Sequence, residues 1–231
     1  MDEEDTTPRH EEQTGEETGT DGGTDRAETA AWIEWVLDAA IDGVGPLEDA
    51  VRTCNRQLGL VGQDHEQAIR QLTTSEMRSV GLSGFISGFG GLATMPLTVP
   101  ADVTWHHVKS ARLAACVAHL RGYDLTTPVI RSLVALTLAG EDGRRIARNH
   151  GIELGSFEAV GRLHDFPAEA LRDMQRAVGL RLLANVGMKG AINLVRLVPI
   201  VGGIATGALN MLTLRDIATA ATSNFPRMQQ A

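Results

Sequence analysis

Asp102, His106 and Lys109 stand at i, i+4 and i+7, a spacing that puts a carboxylate, an imidazole and an ammonium on one stripe of a helix. Turned inward, such a stripe occupies a low dielectric, where pKa values shift and acid–base chemistry becomes available. Turned outward, it is an ordinary solvated face, and this simpler arrangement is favoured. Tyr123 and Asp124 follow where the helix should end, and Asp216 sits late in the chain beside Arg215. If Tyr123 and Asp124 reach back beside Asp216, then Asp102, His106, Tyr123, Asp124 and Asp216 become the polar end of an apolar pocket. The plainer use of Asp124 is to cap the next turn.

Other chemistries find less support. His106 and His107 are adjacent, so on a helix they point about 100° apart. Ser110 and Ala111 occupy the i+4 positions where a third zinc ligand would stand. Glu141-Asp142 with Arg144 and Arg145 could hold a magnesium diphosphate, although a surface turn explains them more simply. Mg2+ is therefore expected only for a diphosphate substrate. Gly88-Phe-Gly90-Gly91 matches neither a dinucleotide fingerprint nor a phosphate loop, and no serine lies in a nucleophile elbow. Cys54 and Cys116 make neither a CxxC nor a disulfide framework, which favours a reducing compartment and two buried apolar thiols.

The elements that would position these residues are helices. Residues 1–28 are acidic and nearly devoid of apolar side chains, so they read as a disordered tail. Eleven acids between Asp2 and Glu28 against Arg9 and Arg26 leave the remaining body near neutral, with 19 basic and 18 acidic residues. A body so balanced lacks the basic face that nucleic acid requires. Helical periodicity begins near Ala27 with Trp32, Trp35, Val36 and Ala39, and stops at Gly43 and Gly45-Pro46. Further helices are predicted over 47–58, 64–80, 100–120, 127–138, 144–149 and 167–185, with 150–168 the most loop-like part. The 23 residues 79–101 carry no charge, and neither do the 18 residues 197–214. Both segments are rich in glycine, which lets helices approach closely but costs about 1 kcal/mol per glycine relative to alanine. They predict a single compact all-α domain over 29–226, built on two central glycine-rich apolar helical segments, with a flexible end at 227–231. An acidic N-terminus without an apolar core is the opposite of a signal peptide, so the expected location is cytoplasmic.

The stretches Gly84-Phe-Ile-Ser-Gly-Phe-Gly-Gly-Leu-Ala, Pro100-Ala-Asp102, Ala118-His-Leu-Arg-Gly122-Tyr123-Asp124 and Val198-Pro-Ile-Val-Gly-Gly followed by Arg215-Asp216 resemble the EcsC family of bacterial proteins. The resemblance spans about residues 30–225 and leaves out the acidic tail. That family is named for a gene that accompanies an ABC transporter. The likeness implies a helical, membrane-associated or lipid-handling protein, peripheral to the inner face of the membrane, whose partners are a membrane surface or a membrane protein. The alternative is an all-α enzyme acting on an apolar lipid or isoprenoid diphosphate, with terpene-cyclase-like chemistry at the five polar residues named above. An aromatic content of only 4% counts against a pocket that stabilises carbocations. The two uncharged segments are about as long as a bilayer span, yet their prolines and glycines leave backbone groups that lipid cannot satisfy.

Overall fold

The computed structural model describes residues 21–80, 101–193 and 199–228, with side chains placed over 27–78, 103–185 and 212–228. Most of the first glycine-rich segment therefore lies outside the described residues. The second is helical from Pro199 onward.

The described chain is all-α. Its helices are α1 (Asp21–Ile41), α2 (Ala50–Leu60), α3 (His65–Val80), α4 (Ala101–Leu120), α5 (Pro128–Leu138), α6 (Glu141–Asn149), α7 (Phe157–His164), α8 (Ala168–Asn193) and α9 (Pro199–Asn224). Among the described residues the only strand-like pairing is an isolated bridge between Val44 and Leu47. It closes the turn in which Gly43 takes a φ of +85°, a conformation that side-chain-bearing residues resist.

Helix α4 is the axis of the fold. It packs against α1, α2, α3, α5 and α9, and every residue from Ser110 to Ala118 is buried. A helix covered on all sides needs small residues for its neighbours to approach, and Ala111, Ala114, Ala115 and Ala118 supply them, all with no exposed surface. Helix α1 lays Trp32, Ile33, Val36 and Leu37 into this core, and the Trp32 indole donates to Thr104 Oγ1 on α4 at 3.1 Å. Burying an indole N–H without a partner would cost about 1–3 kcal/mol, so this bond fixes how α1 lies on α4.

Local chemistry sets most of the ends. Asp49 accepts from Arg52 N at the start of α2. Thr127 caps α5 with Pro128 in the first turn, where a missing N–H costs nothing. Gly122 closes α4 with a φ of +95°, and Tyr123 N returns to Ala118 O at 3.0 Å, the geometry of a glycine-terminated helix.

Several boundaries differ from the sequence reading. Helix α1 begins at Asp21, so residues 21–28, assigned to the tail, are helical. Helix α7 occupies part of the predicted loop: Ser156 accepts from Ala159 N, and the eight-residue element buries Ala159, Val160 and Leu163. Helix α6 starts three residues early, with Glu141 and Asp142 in its first turn, where carboxylates favour the helix dipole. The end expected to be free is tied down as far as Met228, whose N–H donates to Arg121 O at 3.2 Å.

Candidate functional site

The corner after α4, which holds the candidates Tyr123 and Asp124, joins the start of α3 to the end of α9. His65, opening α3, holds its Nδ1 2.6 Å from Leu120 O. A carbonyl only accepts, so Nδ1 carries the proton. The Arg121 guanidinium faces Glu66 at two points, Nε to Oε1 at 3.1 Å and Nη2 to Oε2 at 3.2 Å, and its Nη1 donates to Phe225 O at 3.2 Å. Tyr123 is buried. Its hydroxyl donates to Pro226 O at 2.8 Å and its ring stands edge-on to Phe225, 5.4 Å between centroids. Met228 covers Gly122, where a Cβ would meet its side chain at 3.4 Å. The Arg121-Gly122-Tyr123 corner thus clasps the start of α3 and the end of α9.

Burial pushes the Tyr123 phenol up, with Arg121 opposing, so the hydroxyl stays a neutral donor. Asp124, one residue on, is exposed. Its Oδ1 accepts from Thr126 N at 2.9 Å and from Thr126 Oγ1 at 2.8 Å. The Thr126 backbone N–H and hydroxyl hold this carboxyl below the usual carboxylate range. It serves as the turn cap that leads into α5.

The other candidates are dispersed. Asp102 lies in the first turn of α4, and its side chain falls outside the described set. His106 is half-buried, with its ring 5.7 Å from that of His107, which stands edge-on to Trp32 at 5.5 Å. Lys109 approaches Glu76 on α3 at 4.0 Å. Burial lowers its pKa, Glu76 opposes that, and Arg112 adds to it. Asp216 is exposed on α9. Neither Asp124 nor Asp216 points into the interior, and Tyr123 spends its hydroxyl on Pro226.

In the arrangement that could have held a diphosphate, both carboxylates are paired with arginines. Asp142 Oδ1 pairs with Arg145 at 2.7 Å and with Arg181 at 3.4 Å, while Glu141 pairs with Arg148 at 2.8 Å. Among the described residues no group of three or more His, Cys, Asp or Glu could hold a metal ion, and no helix is long and apolar enough to cross a membrane. An open hollow of about 560 Å3 lies along α2 and α3, lined by Gln57, Gln67, Arg70, Gln71, Thr74, Ser75 and Arg78. Its wall is polar, unlike the apolar pocket that a lipid chain needs.

Sequence spacing missed one cluster entirely. Arg112 is buried on α4 and donates from Nη2 to Thr53 Oγ1 on α2. One turn further on, the Cys116 thiol donates to Ala50 O at 3.5 Å, and Cys54 interacts directly with Cys116. Cys54 and Cys116 are 62 positions apart, so nothing local marks them as neighbours. In comparisons with known proteins, no family model, no curated protein and no solved structure matches the chain.

Proposed function

We propose that the chain is a non-catalytic, EcsC-like helical protein that works at a membrane face, with the uncharged segments 79–101 and 197–214 as the parts that meet lipid or a membrane protein. The observation that carries this reading is how the Gly122-Tyr123-Asp124 motif is used. A catalytic pocket would need those polar groups turned toward substrate. Instead the Tyr123 hydroxyl is bound to Pro226 O and the Asp124 carboxylate to Thr126. The motif closes the helical body, and it does so between the end of α4, which follows the first uncharged segment, and the end of α9, which carries most of the second.

Physical chemistry supports the same division of labour. Charged side chains cover the outer surface of the described helices, as in Arg131 with Asp38 and Asp42, whereas 23 and 18 successive residues carry no charge at all. Uncharged runs of that length interrupted by proline suit an interfacial or partner-buried position better than a span.

Sedimentation of the full chain with vesicles tests this. Pelleting with phosphatidylcholine or phosphatidylglycerol vesicles, and release on adding detergent, is the expected result. A chain that remains monodisperse in the supernatant with both vesicle types overturns it. Turnover of a prenyl diphosphate by the wild-type chain, abolished in Asp102→Asn, would replace it with the enzymatic reading.

A further inference from the structure

We propose that Cys54 and Cys116 are a redox-active dithiol that closes into a disulfide and staples α2 onto α4. The inference is independent of the membrane reading.

The geometry of the two helices brings the Cys116 sulfur to the turn of α2 that carries Cys54. Cys116 Sγ lies 3.5 Å from Ala50 O. In α2 that carbonyl belongs to the residue four before Cys54, and so accepts the Cys54 N–H in the helical ladder. A sulfur held beside that carbonyl lies at the turn of α2 that carries Cys54, and Cys116 is accordingly the neighbour that, after burial, raises the Cys54 thiol. Both cysteines are free and have no exposed surface.

Two further features suit such a pair. Arg112, one turn before Cys116, donates to Thr53 Oγ1, and its own Nε is buried without a hydrogen-bond partner among the described residues. Burial, and after it the neighbouring Cys116, push the Cys54 thiol up, and the Arg112 guanidinium opposes them only in part, so the thiol gains reactivity when α2 opens to solvent. Access comes from α2 itself. Only Ala50, Thr53 and Cys54 of its eleven residues are buried, and Leu60 at its end is 72% exposed. An element with so few buried contacts opens more readily than the core it covers. Opening exposes Cys54 to a small oxidant, and reclosing presents it to Cys116.

The reaction is thiol–disulfide exchange with a low-molecular-weight disulfide such as oxidised glutathione. The Cys54 thiolate attacks one sulfur of the reagent and expels one thiol. The Cys116 thiolate then attacks the mixed disulfide at Cys54 and expels the second. The S–S bond of the reagent breaks, the Cys54–Cys116 bond forms, and the two protein protons leave on the two released thiols. The 61 residues between the cysteines are thereby closed into a loop, which restricts the unfolded state.

The experiment equilibrates the full-length reduced protein in glutathione buffers of graded poise, approached both from the native state and by oxidative refolding. The products are alkylated under denaturing conditions. Expected results are the loss of both alkylatable thiols, a monomer mass about 2 Da lower, and a non-reducible-to-reducible shift of one peptide pair containing Cys54 and Cys116. Reduction should reverse all three, and the oxidised form should melt higher and exchange α2 amides more slowly. Cys54→Ser should instead stop at a glutathione adduct or a free thiol. Two thiols retained at every poise by both routes, disulfide-linked dimers in place of the intramolecular bond, or an oxidised form that melts lower would each overturn the proposal.

Discussion

The Tyr123 hydroxyl bonds to the Pro226 carbonyl at 2.8 Å across 103 positions of sequence, and so joins the end of the central helix to the end of the last one. Removing the hydroxyl alone leaves the ring in place against Phe225 and orphans a part-buried carbonyl. Tyr123→Phe should therefore cost about 1 kcal/mol, which for a chain of this size lowers the melting temperature by roughly 2–4 °C. Amide exchange should rise at Met228, whose own bond to Arg121 O depends on the same docking. An unchanged melting temperature would mean that the clasp does not hold α9.

The guanidinium beside it does more. Arg121 faces both carboxylate oxygens of Glu66 and the Phe225 carbonyl, so it links α3, α4 and α9 at one point. Hydrogen bonds to charged groups contribute about 1.5–3 kcal/mol each, and the planar fork cannot be replaced by an ammonium. Arg121→Lys should destabilise more than Tyr123→Phe, by a larger shift in thermal midpoint. Equal midpoints for Arg121→Lys and wild type would show that the fork geometry is unimportant.

Two glycines make opposite predictions. A Cβ at Gly143 would lie 1.9 Å from Leu136 O, backbone that cannot step aside, where α6 turns back on α5. Gly143→Ala should cost about 1–3 kcal/mol as an overpacked site, despite the better helix propensity of alanine. At Gly59, inside α2, a Cβ would meet nothing within 4 Å. Gly59→Ala should stabilise by about 0.5–1 kcal/mol. Thermal melts of the pair give the signs directly, and like signs would contradict the packing described for α5 and α6.

His119 gives the pH dependence a sign. Burial lowers its pKa below the ordinary 6.5, and the neighbouring His65 lowers it further. The unfolded chain therefore binds the proton at higher pH than the folded one, and stability falls as pH drops below 6.5 toward the folded value. His119→Gln keeps a polar side chain without the titration. Its melting temperature should fall less than that of wild type between pH 7 and pH 5, and parallel curves would refute the assignment.

What the sequence showed and what it hid follow from the range of the forces involved. Gly122 as a helix terminator and Thr127-Pro128 as a helix start were legible, because a left-handed φ and a cap are properties of a few adjacent residues. Helix α7 was not. Its eight residues are held by burial of Val160 and Leu163 more than by any strong local pattern. The Tyr123–Pro226 and Cys54–Cys116 relationships are tertiary, and no spacing rule reaches across them. The stripe of Asp102, His106 and Lys109 was correctly placed on one helix, yet spacing alone could not say that Lys109 would meet Glu76 on α3.

Asp124 separates a turn cap from a catalytic carboxylate. Its Oδ1 receives the Thr126 N–H and hydroxyl, and those two bonds hold its pKa below the ordinary 3.8. The folded pKa lies under the unfolded one, so the contribution is complete above 3.8 and is lost as pH falls through the folded value. Asp124→Asn retains an oxygen that can accept from Thr126, so it should fold and bind vesicles as wild type does. Below pH 3.8 its stability should decline less steeply, because it has no carboxylate to protonate. Thermal melts from pH 5 down to pH 2 read this difference. Loss of vesicle binding with an unchanged acid limb would place Asp124 in a functional surface instead of the turn.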